Sequence, residues 1–427
     1  MNDSGVGAFS PMTRAPLTAS LESVRRLVVT NQHLAGKLPS RFTSESLLSV
    51  VRDLGYVQWD PVSIVAPSHL LTLWARLGDF RPSVLERLLW QDKMLFEHWT
   101  PMASLVLTED YPLYLSLMQR YPESLTRSWG NHRERAKKFL REHSDLRRKV
   151  LDELKKGPRS IGDFEDHQRT RRKEAAFEAS SDVSQMLFHL LMSGEVMVVG
   201  HQGSQNVWGL ADEFLPEWVD RHPLSEEDFE AEVARRALRA LGAATPREIV
   251  YYFPRGRYAN LKSTLARLEE DGAIHRLTVE GLTGKDERYI HHLDVPRLES
   301  LASDRFEPRL SLVPPFDNLI YSSARTDRLF GFDYVREQFL PEEKRRYGTY
   351  VLPIVWGAKL IGRIDPRLDK KSGVLHVNAV HAEPDAPRDR DVAEKIAETV
   401  ARLARFVGAT EVAYTAQVPP GWKSELR

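Results

Sequence analysis

The apolar positions of this chain change period several times, and the changes mark its elements. Val183, Met186, Leu187, Leu190 and Leu191 fall at i, i+3, i+4, i+7 and i+8, which is one stripe of an α-helix. The stripe stops at Ser193 and Gly194, with the glycine suited to a helix C-cap. Residues 195–199 then read as a strand, 200–205 as a polar turn containing two glycines, and 206–210 as a returning strand. Upstream, Ser160 and Asp163 have capping-box spacing, so that each side chain can cover an orphan N–H and open a helix. Short helices, an amphipathic helix and a strand pair in that order describe a winged helix-turn-helix.

The order recurs. Thr245 and Glu248 frame a second capping box, with Pro246 at the first helical position, where its missing N–H costs nothing. Pro254 ends that helix. Leu261, Leu265 and Leu268 form an amphipathic helix closed by Gly272, and 274–279 with 288–292 form a strand pair around a charged loop. A less regular copy lies upstream. Residues 44–54 carry Leu47, Leu48, Val51 and Leu54 on one side, Gly55 breaks the helix, 56–60 form a short strand running into Pro61, and 64–77 read as helical again. Beyond residue 305 the pattern turns to strands at 310–313, 350–356, 359–364 and 374–380. A helix over 392–406, with Ile396, Val400 and Leu403 inward, and a strand at 411–414 complete the chain. The predicted fold is therefore α+β, with three tandem winged helix-turn-helix units and a β-rich C-terminal domain. The predicted boundaries are a disordered leader over 1–16, units over 17–125, 126–221 and 222–300, and the C-terminal domain over 301–427.

Composition narrows the setting. A chain of 427 residues with 42% hydrophobic content accommodates two to four domains and a sizeable core. No run approaches the roughly 18 apolar residues of a membrane span. The first twenty residues lack the apolar stretch of a signal peptide. The absence of cysteine removes disulfides, thiolate zinc sites and cysteine nucleophiles. These features fit a cytoplasmic protein. Net charge is zero, with 60 basic and 60 acidic residues, but it is unevenly spread. Residues 131–175 hold 15 Lys or Arg against 9 Asp or Glu, and the densest part contains Arg171 and Arg172. Such a run reads either as a solvated face of mixed charge or as a contact for phosphates.

The 14 histidines form no HExxH motif, and the adjacent His291 and His292 would point to opposite faces of a strand. There is no GxxxxGK[ST] phosphate loop and no GxSxG elbow. Neither a metal nor a cofactor is therefore expected. What remains is the strand ending in Gln58, Trp59 and Asp60. Alternation places Gln58 and Asp60 on one face and Trp59 on the other. A carboxylate beside an amide suits cleavage of an N-glycosidic bond. The carboxylate stabilises the cationic sugar or takes a proton from water, and the amide orients the water or the sugar. The same spacing also fits an Asp60 that merely caps the helix after Pro61, with Gln58 simply polar.

At these residues the sequence resembles the bacterial winged-helix DNA glycosylases that unhook interstrand crosslinks and excise N7-alkylpurines (AlkZ/YcaQ-like). The likeness runs through Leu54–Pro61 with His69 and 73–77, then 96–99 with Ala103 and Ser104. It is densest in the strings 315–318, 325–334, 344–348, 350–353 and 362–365. Gln58 and Asp60 match the Gln-x-Asp form of the family's active site. The resemblance implies a C-shaped molecule whose winged helices line a concave, basic surface for double-stranded DNA carrying alkylated or crosslinked purines. It implies a monofunctional enzyme without metal or cofactor. It makes Gln58 and Asp60 catalytic, and His69, Arg171, Arg172, Gln202, Lys344, Arg345 and Arg346 candidates for DNA contact. A monomer is expected. Thr100 and Pro101 stand where the family often has a histidine, and 174–178 replace a tryptophan-rich stretch. The departures bear on the role of His98 and neighbouring histidines and on the DNA contacts of the middle unit. A transcriptional regulator and a protein-interaction scaffold are the readings that the same winged helices also allow.

Overall fold

The computed structural model describes residues 15–426 apart from 101, 126–129, 165–181, 204, 255, 283–286, 304, 415 and 416. Most of the predicted leader, together with Arg171, Arg172 and the 174–178 segment, lies outside the described residues.

The chain opens with strand β1 (Leu17–Ser20) and helix α1 (Leu21–Asn31), which Ser20 caps by accepting the Ser23 N–H. Next come α2 (Ser44–Leu54), β2 (Val57–Gln58), α3 (Ser68–Leu77), α4 (Pro82–Trp90), β3 (Leu95–Trp99) and β4 (Ala103–Leu107). A Thr43–Ser46 capping box starts α2, and Gly55 at φ 78° ends it, a conformation only glycine adopts cheaply. After α5 (Tyr111–Met118) follow α6 (His132–Glu142), α7 (Ser144–Leu154), β5 (Arg159–Ser160), α8 (Asp182–Met192), β6 (Val196–Gln202), β7 (Gln205–Leu210) and α9 (Ala211–Phe214). Then come α10 (Glu226–Leu241), β8 (Ala243–Ala244), α11 (Pro246–Tyr252), α12 (Leu261–Glu270), β9 (Ile274–Glu280), β10 (Arg288–His291) and α13 (Val295–Ala302). The chain closes with β11 (Leu310–Leu312), α14 (Ser323–Phe330), β12 (Leu352–Trp356), β13 (Lys359–Asp369), β14 (Val374–Ala382), α15 (Arg390–Phe406) and β15 (Glu411–Tyr414).

One topology occurs three times: a leading helix, a short strand, helical turns, and a hairpin whose second strand sits in the middle. The sheet orders are β2-β4-β3, β5-β7-β6 and β8-β10-β9. The sequence showed the second and third copies clearly. The first is completed by α4 and the β3–β4 hairpin, whose burial does not alternate between the faces. Leu95, Phe96, Leu105, Val106 and Leu107 are all buried because both faces of that sheet are covered. The predicted helix over 64–77 begins only at Ser68, since Pro67 occupies the N-cap and the preceding residues form an open turn. The Ser160–Asp163 capping box is present and covers a single 3₁₀ turn, Ile161–Asp163, and the next helix among the described residues is Asp182–Met192.

The predicted unit boundaries give way in two places. First, β1 pairs in parallel with β9, Leu17 opposite Leu277, so the start of the chain joins the third sheet rather than the first unit. Its Leu17 and Ala19 pack on a core that includes Leu277 and Val279. Second, that core runs without a break from α1, α2 and α3 into the C-terminal sheet. Trp74 and Phe80 of the first unit lie 6.0 and 5.3 Å from Phe406 on α15. Periodicity identifies which positions are apolar but not which surface they face, so this shared core was invisible in the sequence. Packing first unit and C-terminal sheet together is what brings residues 315–350 to the β2 strand.

Candidate active site

Gln58 ends β2, and its cross-strand neighbour is Ser104, which is in turn paired with His98. Directly opposed residues share a face, so Gln58, Ser104 and His98 form one row. Glu97, Leu105 and Val57 form the next row on the other face. Backbone pairing continues one residue past the strand, where the Trp59 N–H donates to the Ala103 carbonyl at 2.8 Å. Asp60 then turns the chain. Its Oδ1 accepts the Val62 N–H at 3.0 Å and its carbonyl accepts the Ser68 N–H at 3.2 Å. The carboxylate thus bonds local backbone, as a capping residue would, but it opens a turn of seven residues instead of a helix.

Asp60 is half-buried, while the next residues, Pro61 and Val62, are exposed. Burial raises the Asp60 pKa above the ordinary carboxylate range, and the Val62 N–H bond opposes the rise. The sign for activity follows. If the ionised carboxylate is the working form, base release falls as pH drops through this raised pKa. The acid limb of the pH–rate profile is therefore expected above the usual value of about 3.9 for aspartate. A limb at or below that value would contradict an ionised, half-buried Asp60.

Behind the turn lies a layered aromatic group. Trp59 stacks on His69 with centroids 3.9 Å apart and planes within 11°, and His201 packs at 4.8 Å from Trp59. His69 is only 4% exposed. Burial pushes its pKa down to about 3; the Asp60 carbonyl pulls the other way and His201 adds to the drop. A neutral ring beneath Trp59 has no path to a phosphate, so the expected DNA contact by His69 gives way to a place inside the support of the turn. His98 is likewise buried and neutral, its pKa lowered to about 3 by burial and by the Arg257 charge. Tyr350 reaches the turn from the C-terminal domain. Burial raises its phenol pKa, the Ser68 hydroxyl beside it counters the rise, and the Asp60 charge adds to it. Ser68 Oγ, His69 Nδ1 and Tyr350 OH are buried, the imidazole facing the Asp60 carbonyl and the Ser68 hydroxyl facing the Tyr350 phenol.

Sequence reasoning missed two features here. The first is an ion-pair contact at 2.9 Å between Glu97 Oε1 and His201 Nε2, charged only when the imidazole is protonated. It joins the first unit to the β6 strand of the second, with Trp90 against the His201 ring. A lone histidine in a polar turn gives no sign of such a partner. The second is Tyr350, which the sequence placed merely in a strand. Of the other predicted DNA contacts, Gln202 is exposed at the end of β6, and Lys344 and Arg346 are exposed. Arg345 is partly used, donating to the Leu340 carbonyl at 3.0 Å and to Thr349 Oγ1 at 3.2 Å. Among the described residues, no three His, Asp or Glu side chains are placed to hold a metal ion, and no helix is long and apolar enough to cross a membrane.

A half-buried carboxylate with a carboxamide two residues away suits an enzyme that stabilises a developing sugar cation. The chain belongs to the AlkZ-like DNA glycosylase family: the family model described as "DNA glycosylase AlkZ-like" matches residues 51–406. It is thus a DNA glycosylase of DNA repair, acting on N-glycosyl bonds with DNA as its substrate. The fold is similar to that of the Streptomyces sahachiroi DNA glycosylase AlkZ, with a TM-score of 0.62 at 17% identity, covering 93% of this chain and 100% of that one.

Proposed function

We propose that this protein hydrolyses the N-glycosidic bond of N7-alkylated purines in double-stranded DNA, including those tethered in interstrand crosslinks, with Gln58 and Asp60 at the reacting centre. The observation that carries the reading is the half-buried Asp60 carboxylate on an open turn flanked by exposed Pro61 and Val62. Flipping an ordinary base into a closed pocket costs a few kcal/mol of unstacking. A base bonded to both strands cannot make that excursion, and an open carboxylate does not demand it. We read the three repeated topologies as tandem winged helices whose DNA-facing side is concave. Exposed Gln202, Lys344 and Arg346 fit contacts to the backbone, which position without reading sequence.

The chemistry is simple because the leaving group is already cationic. As the N9–C1′ bond breaks, its electron pair neutralises the alkylated ring. The sugar carbon gains positive charge, which the Asp60 carboxylate stabilises. Water adds to C1′ and gives its proton to Asp60, while the Gln58 carboxamide holds the water or the sugar in place. Water as nucleophile leaves an abasic site in an intact strand, which makes the enzyme monofunctional. Nothing in this sequence calls on a cofactor, and one copy of the chain supplies the whole site.

Two results test the reading. A duplex with a single crosslink between guanine N7 atoms of opposite strands is expected to be unhooked, giving separated strands on a denaturing gel. Persistent crosslink alongside release of monoadducts would confine the enzyme to single-strand lesions. Gln58→Ala is expected to slow release by only about fivefold, less than loss of the carboxylate does, since a neutral hydrogen bond contributes about 1 kcal/mol. A loss as large as that from Asp60→Asn would reverse the assignment of roles.

A further inference from the structure

Phe339 is 71% exposed, more than any other large hydrophobic side chain described. It is not an isolated surface residue. Its ring lies 6.1 Å from Phe316, and the Arg336 guanidinium covers Phe316 at 5.5 Å. Arg336 is fixed in turn by donating to the Pro315 carbonyl at 2.9 Å. Phe339 therefore projects from a built platform. Two tethers hold that platform beside the active site. Asn318, two residues from Phe316, donates to the Tyr56 carbonyl at 3.1 Å, and Tyr56 lies two residues before Gln58. On the other side, the buried Glu337 carboxylate accepts the N–H groups of Arg346, Tyr347 and Gly348 at 3.1, 2.7 and 3.1 Å. That segment leads directly to Tyr350 beside Asp60.

The surroundings specify the partner. Lys344 and Arg346 are exposed on the same strap and line a pocket of about 180 Å³ with Val335, Glu337 and Leu340. The exposed Glu342 and Glu343 offset part of this charge, while the Glu337 carboxylate is buried and turned onto its backbone donors. An exposed aromatic ring flanked by cations, at the border of a site that acts on DNA, matches the two faces of a nucleic acid: phosphates for the cations and a base for the ring. Apolar side chains inserted between base steps are a known way to unstack and kink a duplex.

We propose that Phe339 is a wedge that stacks against or between bases next to the lesion, with Lys344 and Arg346 holding the adjoining phosphates. This extends the proposed function, resting on DNA as the substrate but not on Asp60 chemistry. Loosening the stack at the lesion would expose the N9–C1′ bond to an open carboxylate without complete flipping.

The test uses the full chain and a duplex with 2-aminopurine beside an N7-methylguanine whose 2′-fluoro sugar resists cleavage, so binding and base release are read separately. Wild type is expected to raise 2-aminopurine fluorescence as the base unstacks. Phe339→Ala should abolish most of that rise and weaken binding about tenfold, within the range for losing one base–aromatic stack. Phe339→Trp should retain both signals, and the exposed position leaves the fold intact in either variant. Lys344→Gln with Arg346→Gln should weaken binding and flatten its salt dependence without removing the residual fluorescence rise. A Phe339→Ala protein that binds and unstacks the duplex like wild type would overturn the proposal. So would an effect of the substitution on self-association instead of on DNA. If wild type shows the Phe339-dependent rise yet never releases base from ordinary methylated DNA, the wedge stands and the catalytic reading falls.

Discussion

Asp60→Asn is expected to lower the rate of base release by about 10²-fold or more while leaving the fold at least as stable as wild type. Removing one preorganised electrostatic group from a reacting centre typically costs that much. Asparagine keeps the size of the side chain and can still accept the Val62 N–H through its carbonyl oxygen. What it lacks is the charge for the sugar cation and the site for the water proton. Stability moves the other way. Burial raises the Asp60 pKa in the folded state, so the native protein holds its proton more tightly than the unfolded chain does. Stability contributed by this group falls as pH rises through the window between the two pKa values, and the ionised carboxylate is a net cost above it. Replacing it with a neutral amide removes that cost. A thermal melt of Asp60→Asn well below wild type would show instead that the carboxylate holds the turn together.

The second large effect lies in the core between the first unit and the C-terminal domain. Arg76 and Asp317 have fully buried side chains and form a two-point ion pair, Nη1 to Oδ2 at 2.6 Å and Nη2 to Oδ1 at 2.8 Å. Arg76 also donates to the Thr72 carbonyl at 2.9 Å and to Gln32 at 3.1 Å, and Asp317 accepts the Leu319 N–H at 2.9 Å. Asp317→Ala would leave a buried guanidinium without its counter-charge, a loss of about 3–5 kcal/mol. Arg76→Leu combined with Asp317→Leu should cost less than Asp317→Ala alone, because no charge is stranded. Denaturant unfolding of the single and double variants checks this. Asp317 adjoins Phe316 and Asn318, which bear on the Phe339 platform and on β2, so partial loss of activity should accompany partial loss of stability.

Much of this was legible because elements and local chemistry agree. The α15 stripe, the α8 stripe and the Thr245–Glu248 capping box announce themselves through period and caps. Elements that break a local rule were lost. The strand predicted over 359–364 continues as β13 to Asp369, because a register shift between Asp365 and Pro366 accommodates the proline. Asp365 shows what such a bulge can do: its carboxylate accepts the N–H groups of Thr349 and Tyr350 and so fixes the segment beside Asp60. Gln58 and Asp60 were visible as a pair on spacing alone. The packing around the turn was not, since it joins Trp59 to His69 and to His201 from another unit, and brings Tyr350 from the C-terminal domain. Contacts across long sequence separations leave no period to read.

The central claim is that the Asp60 turn breaks N-glycosidic bonds of alkylated purines. The most direct test is to incubate the full chain with duplex DNA containing one N7-methylguanine and to detect free 7-methylguanine by mass spectrometry, with Asp60→Asn in parallel. The account predicts stoichiometric free base and alkali-labile abasic sites from wild type, and release slowed about 10²-fold or more by the substitution. Tight binding of the damaged duplex without any released base, or equal release by both proteins, would contradict it.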